Sequence, residues 1–159
     1  MTKEQGGYRA THISLLNGRL FQHLLAQEPE ALYTGEQGKI LHCLWLHGGR
    51  GTATDIAIHT GLANNTLTSM LKRLEEQGLI VPQPCPNDKR KKIWHLTDKG
   101  WGQEVIGKRV SECLSIIFYE GFSEEEVTTF ISYQKRILDN LRRGLDRKDK
   151  DDEEVAHVD

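Results

Sequence analysis

Four consecutive cations, Lys89, Arg90, Lys91 and Lys92, follow a lone Asp88 and run directly into Ile93-Trp94. Side chains of this kind neutralise anionic oxygens, on phosphates above all. A solvated surface turn would carry the same residues, so the neighbouring segments must decide between the two. A second constellation lies upstream, where Asn64, Asn65, Thr66, Thr68, Ser69, Lys72 and Arg73 crowd together. Amides and hydroxyls can read hydrogen-bonding edges, while cations meet anions.

Catalysis has less to stand on. No G-x-S-x-G, P-loop, H-E-x-x-H or dinucleotide fingerprint occurs. The seven histidines are scattered over separate segments. The chain is therefore expected not to be an enzyme and to use neither cofactor nor metal. Its three cysteines, Cys43, Cys85 and Cys113, are odd in number and form no C-x-x-C pair. That argues against a disulfide framework and for a reducing, cytoplasmic setting. No apolar stretch approaches the roughly 20 residues needed to span a bilayer, and the start, MTKEQGGYRATH, lacks a signal peptide's apolar core.

At 159 residues the chain is one domain's worth, with room for two lobes. Its net charge of −2 gives no general attraction for nucleic acid. The distribution differs, because Gly48 to Gly100 carries eight basic residues against five acidic ones. The stretch from Asp149, DKDDEEVAHVD, is acidic and poor in apolar residues, and its composition predicts a disordered tail.

The elements that must position these residues are marked by caps and periodicity. Thr34 with Gln37 forms a capping box, followed by Ile40, Leu41, Leu44 and Trp45 on one helical face and a stop at Gly48-Gly49. A short helix opens at Thr52 or Thr54 and closes at Gly61. The next places Leu67, Met70, Leu71 and Leu74 at helical spacing, opposite the polar constellation, and ends at Gly78. Then LIVPQPCP reads as an edge strand, its prolines in one phase and its open edge blunted. Asn87-Asp88 makes a turn and KIWHLT returns, so the basic run sits on a hairpin tip. Thr97 caps a long helix running to about Gly121. A second capping box, Ser123 with Glu126, starts another helix with Ile131, Leu138, Leu141 and Leu145 at near-heptad spacing. Ile13, Leu16, Leu20 and Leu24 make an N-terminal stripe. These terminal stripes are expected to bury each other between two copies of the chain.

Three helices and a hairpin, the third helix faced with Asn, Thr, Ser and Lys, is the order of a winged helix-turn-helix. Over residues 33 to 100 the sequence resembles the MarR family of bacterial transcription regulators. The resemblance is carried in order by YTGEQGKIL, by TDIAIHTGLANNTLTSMLKRLEEQGLI and by DKRKKIWHLTDKG. In the last of these, Asp88, Arg90, Leu96-Thr97 and Gly100 fit the wing signature.

The resemblance implies a mainly α (α+β) winged-helix fold. Residues 33–100 would form the DNA-binding lobe, 1–32 and 101–148 a helical dimerisation region, and 149–159 the tail. Asn64 to Gln77 would be the recognition helix in the major groove. Asn65, Thr66, Thr68 and Ser69 would lie nearest the bases, and Lys72 and Arg73 nearer phosphates, with Asn64 opening the same DNA-binding helix. Arg90 would enter the minor groove, its guanidinium held by Asp88, with Lys89, Lys91 and Lys92 on phosphates. Two departures stand out. Pro82 replaces a commonly basic residue, and Ala63 stands where Ser or Thr often caps the recognition helix, a task that would pass to Asn64.

The implied function is a homodimeric, sequence-specific regulator, a repressor, on a pseudo-palindromic operator of double-stranded DNA. It would be released by a small aromatic or anionic effector. The effector's lining would come from His12, Leu16, Trp45 and Val110. The alternative is a cysteine-based redox sensor or a metal sensor of the same fold. However, YRATHISLLNGRL holds no cysteine and the long helix after the wing no histidine.

Overall fold

A computed structural model describes residues 2–156. Its elements are α1 (Gln5–Ala26), α2 (Gly35–Leu46), β1 (Arg50–Thr52), α3 (Ala53–Thr60), α4 (Asn64–Glu76), β2 (Ile80–Cys85), β3 (Asp88–Leu96), α5 (Asp98–Gly102), α6 (Glu104–Phe118) and α7 (Glu124–Ala156). The chain divides after Phe118 into two compact units. No helix among the described residues is long and apolar enough to cross a membrane.

In the first unit the helix starts follow their caps. Thr34 and Gln37 bond reciprocally, the Gln37 N–H to Thr34 Oγ1 at 3.4 Å and the Thr34 N–H to Gln37 Oε1 at 3.0 Å. Thr52, rather than Thr54, opens α3 through the same exchange with Asp55. Those bonds from Thr52, the side chain's first, hold the Asp55 carboxyl below the usual carboxylate range. The stacked rings of His47 and His59, with centroids 4.1 Å apart, join the end of α2 to α3.

The three strands form an antiparallel sheet in the order β1-β3-β2, which leaves proline-bearing β2 at an edge. The core lies between the sheet and the helices. It joins Leu25 of α1, Leu41 and Leu44 of α2, Ile56 of α3, Leu71 and Leu74 of α4, Trp94 of β3, and Ile106 and Val110 of α6. Gly100 is indispensable to the join between hairpin and α5, since a Cβ there would stand 2.1 Å from the Leu79 carbonyl oxygen.

Four features differ from the sequence reading. Strand β1 was not anticipated: it is three residues long and exists because β3 offers a ladder, with Gly51 opposite Trp94. The single helix expected beyond Thr97 is two, α5 and α6, broken at Gln103. The buried Gln103 side chain accepts the Leu32 N–H at 2.8 Å and donates to the Glu30 carbonyl at 3.3 Å, which pins that residue to the loop after α1. Thirdly, α1 and α6 pack on each other and on α2 within this unit, so their inner faces belong to its core. Ile13 and Leu16 of α1 remain exposed.

The second unit begins with Tyr119, whose ring meets Phe122 and Phe130 edge-on, and continues with α7. Ser123 and Glu126 form the expected capping box, the Ser123 N–H donating to Glu126 Oε2 at 2.8 Å. The fourth difference is here. A disordered tail was expected from residue 149, yet α7 continues to Ala156. Once a helix is nucleated each further residue adds a hydrogen bond, so α7 propagates past residue 149 although Asp149, Asp151 and Asp152 are poor helix formers. Residues 157–159 of the expected tail lie outside the described residues.

Candidate nucleic-acid interface

One face of α4 is sealed into the core by Leu67, Met70, Leu71 and Leu74. The other follows from the same periodicity: Asn64, Asn65, Thr66, Thr68, Ser69, Lys72 and Arg73 are all exposed. No ion pair engages Lys72 or Arg73 among the described residues. The Thr68 hydroxyl donates to the Asn64 carbonyl at 2.9 Å, within its own helix. Ala63 is the N-cap, and no side chain caps the helix, so Asn64 does not take over that task. The N–H groups of this first turn are therefore open to an outside acceptor such as a phosphate.

The hairpin tip is built differently. Pro84 pairs with Lys92, but Cys85 pairs with Asp88, so the register jumps and Lys89, Arg90 and Lys91 have no residue opposite them on β2. Pro86-Asn87 is the turn. Within this bulge the Asp88 carboxylate accepts the main-chain N–H of Arg90 at 3.0 Å. The expected Asp88–Arg90 side-chain pair is absent from the ion pairs among the described residues. Two residues apart on a tight bulge, the short carboxylate reaches the backbone first, an Asx-type turn. Lys89, Arg90, Lys91 and Lys92 are exposed and unpaired by carboxylates among the described residues.

Between these elements lies an open groove of about 740 Å³. Its walls are Thr68, Leu71, Lys72 and Glu75 of α4, Lys91, Lys92 and Trp94 of β3, and Thr52 to Asp55 at the start of α3. The fold thus brings Thr68 and Lys72 to the same groove as Lys91 and Lys92. Asn65, Thr66, Ser69, Arg73, Lys89 and Arg90 do not line it. The α3 wall was missed in the sequence, although Thr52-x-x-Asp55 was there to be read as a cap.

A second, smaller cavity of about 280 Å³ opens among α1, α2 and α6. Phe21, Tyr33, Gly38, Lys39, His42, Trp45, Gly107 and Ser111 are among its lining. Of the four residues expected to line an effector site, only Trp45 does. His12 and Leu16 are exposed on α1 and Val110 is buried in the core. The Tyr33 hydroxyl is buried without a hydrogen-bond partner. Burial, and then the charge of Glu28, push its pKa up to about 12, so it stays a neutral donor. Trp45 stands edge-on to Tyr33 with centroids 6.0 Å apart, and its indole N–H donates to the Gly100 carbonyl at 3.1 Å. Gly107 makes room for both rings: a Cβ there would lie 2.7 Å from Trp45 and 3.1 Å from the Tyr33 hydroxyl. Among the described residues no group of three or more His, Cys, Asp and Glu is placed to hold a metal ion.

Residues 34–92 match the model of the MarR family. A Bacillus subtilis protein described as the uncharacterised HTH-type transcriptional regulator YcgE is 28% identical over 100 residues, covering 62% of this chain. The match spans 64% of that relative's own length. Among solved structures, Bordetella bronchiseptica BpsR, described in terms of regulation of its DNA binding by 6-hydroxynicotinic acid, superposes with a TM-score of 0.72 at 20% identity. That likeness covers 86% of this chain and 95% of BpsR. A cysteine-to-serine mutant of Escherichia coli MarR, complexed with operator DNA, gives a TM-score of 0.66 at 24% identity, over 83% of this chain and 92% of that one. At such identities the likeness is one of fold, the winged helix.

Proposed function

We propose, since this chain belongs to the MarR family, that it is a DNA-binding transcriptional regulator acting as a homodimer on a pseudo-palindromic operator. The observation that carries this reading is the groove shared by α4 and the hairpin, where Lys72 faces Lys91 and Lys92. The polar face of α4 enters the major groove, with Asn65, Thr66, Thr68 and Ser69 toward the bases and Lys72 and Arg73 toward phosphates. Asn64 and the uncapped first turn meet the backbone. The basic tip reaches the adjacent minor groove through Arg90, while Lys89, Lys91 and Lys92 neutralise phosphates. Such a regulator works where the DNA is, in the cytoplasm, and is not an enzyme.

The second copy is motivated by apolar side chains that a lone chain leaves in water. Ile131, Ile137, Leu138, Leu141 and Leu145 of α7 are each half or more exposed, as is Leu16 of α1. Exposure on that scale marks an interaction surface. The chain acts as a repressor released by a small aromatic acceptor that fits the α1–α2–α6 cavity and takes the hydrogen bond Tyr33 has to give. A switch at Cys43 is disfavoured because burial, and then the charge of Asp55, raise its pKa, away from the reactive thiolate.

Selection from a random duplex pool, followed by sedimentation of the complex, tests the reading. The expected outcome is a two-fold sequence with half-sites about 10 bp apart and two protomers bound. A folded monomer that binds its selected site with full affinity would sink it.

A further inference from the structure

The capping box of α2 does more than start a helix. Gln37 is buried, 6% exposed, and its carboxamide is used at both ends. Its Oε1 accepts the Thr34 N–H at 3.0 Å and its Nε2 donates to Gln77 Oε1 at 2.9 Å. Because an N–H points at one end, the amide cannot be turned round; the end toward Gln77 must be the donor. Gln77 is the C-cap of α4, and its carbonyl accepts from Lys99 Nζ at 2.8 Å. The neighbouring Gly78 carbonyl accepts from the Thr97 hydroxyl at 2.6 Å. The C-terminal end of α4 is thus tied to α2 by one side-chain bond, and to the segment after β3 by two others.

The other side of the same α2 turn is cavity wall. Gly35, Glu36, Gly38 and Lys39 line the cavity, and Tyr33, with its unpartnered hydroxyl, immediately precedes the Thr34 cap. Gly38 lies so close to the Tyr33 ring that a Cβ would stand at 3.2 Å. A molecule that fills the cavity meets Tyr33, Gly35, Glu36 and Gly38, the residues on either side of Thr34 and Gln37. We propose that Gln37 is a positioning residue for DNA binding: its bond to Gln77 transmits occupancy of the cavity to the end of α4. This rests on the reading of the cavity as an effector site and of α4 as the DNA-reading helix.

The experiment needs no identified effector, because a side chain can stand in for one. Gly107→Ala places a methyl group against Trp45 and the Tyr33 hydroxyl; Ser111→Leu fills the same cavity from α6 and serves if the first variant does not fold. Operator affinity is measured for each filling variant in three backgrounds: Gln77 unchanged, Gln77→Met, which removes the acceptor, and Gln77→Glu, which keeps one. Filling should change affinity by about fivefold or more with Gln77 present, the low end of measured couplings. In Gln77→Met the same filling should have less than half that effect on a logarithmic scale, and Gln77→Glu should restore it. Equal effects in all three backgrounds would overturn the role of Gln37 while leaving the effector reading standing. A folded filling variant with no effect in any background would overturn both.

Discussion

The polar face of α4 and the basic tip of the hairpin both offer exposed side chains, but the protein holds them by different means. Behind α4 stand four buried apolar residues, each contributing about 1.5–3 kcal/mol when removed from water. The Cα–Cβ directions of its exposed residues are fixed because their backbone is. Behind the tip stand the Cys85–Asp88 ladder pair, a side-chain bond that takes the Arg90 N–H to Asp88, and a register jump that leaves Lys89 to Lys91 unopposed. A rigid array suits the reading of base edges, where a misplaced donor loses the contact. A loosely held cluster of long cations suits a polyanion whose charge repeats along its length. On this comparison α4 should govern specificity and the tip affinity.

The largest expected effect breaks the support of α4. Leu74→Ala empties a fully buried site in the core and should cost about 2–5 kcal/mol of stability. Arg90→Ala, at the exposed tip, should stay within about 0.5 kcal/mol. Chemical denaturation of the two variants side by side checks both. Equal losses would mean that the tip is structurally as deep as the helix.

Next come the side chains of the helix itself. Asn65→Ala or Thr66→Ala should relax discrimination at one base position per half-site by about 1–3 kcal/mol, with the salt dependence nearly unchanged. Titration on matched and mutated operators reads the difference. A uniform loss on every sequence would instead place these residues on the phosphate backbone.

Arg90→Ala should behave in the opposite way. It weakens binding to all sequences by about tenfold and lowers the salt slope by about two units, one for each wing of the dimer. Some preference for A·T-rich flanks should go with it, since narrow minor grooves favour an inserted arginine. Titrations at several salt concentrations that leave affinity and slope intact would reduce the tip to a surface turn. The smallest effect belongs to Asp88→Ala, which frees the Arg90 N–H and should cost about threefold in affinity, the value of a weak hydrogen bond. Asp88→Asn keeps an acceptor and should bind like the natural chain. If Asp88→Ala matched Arg90→Ala, the carboxylate would be holding the guanidinium after all.

Much of the fold was legible because its signals are local. The Thr34 and Ser123 capping boxes and the apolar spacing of α4 each lie within a few turns of chain, and the structure has them where they were expected. Edge strand β2 was readable from prolines alone. The exposed face of α4 and the cationic tip followed from the same patterns. The α1–α2–α6 cavity was legible only at Trp45, because its lining depends on how those helices pack, and an apolar stripe on one helix cannot say which of its members faces a gap.

By itself the sequence determined where helices begin, which face of each is apolar, and where positive charge gathers. Those properties are set by neighbours three or four residues away and by covalent order. Only the tertiary structure decided that Arg50 to Thr52 is a strand, that the helix after the hairpin breaks at Gln103, and that Asp88 serves a backbone N–H. It alone decided that Gln37 reaches Gln77 across forty residues of chain. Each of these is a polar group finding its partner through space, and burial makes the partner obligatory without naming it in advance.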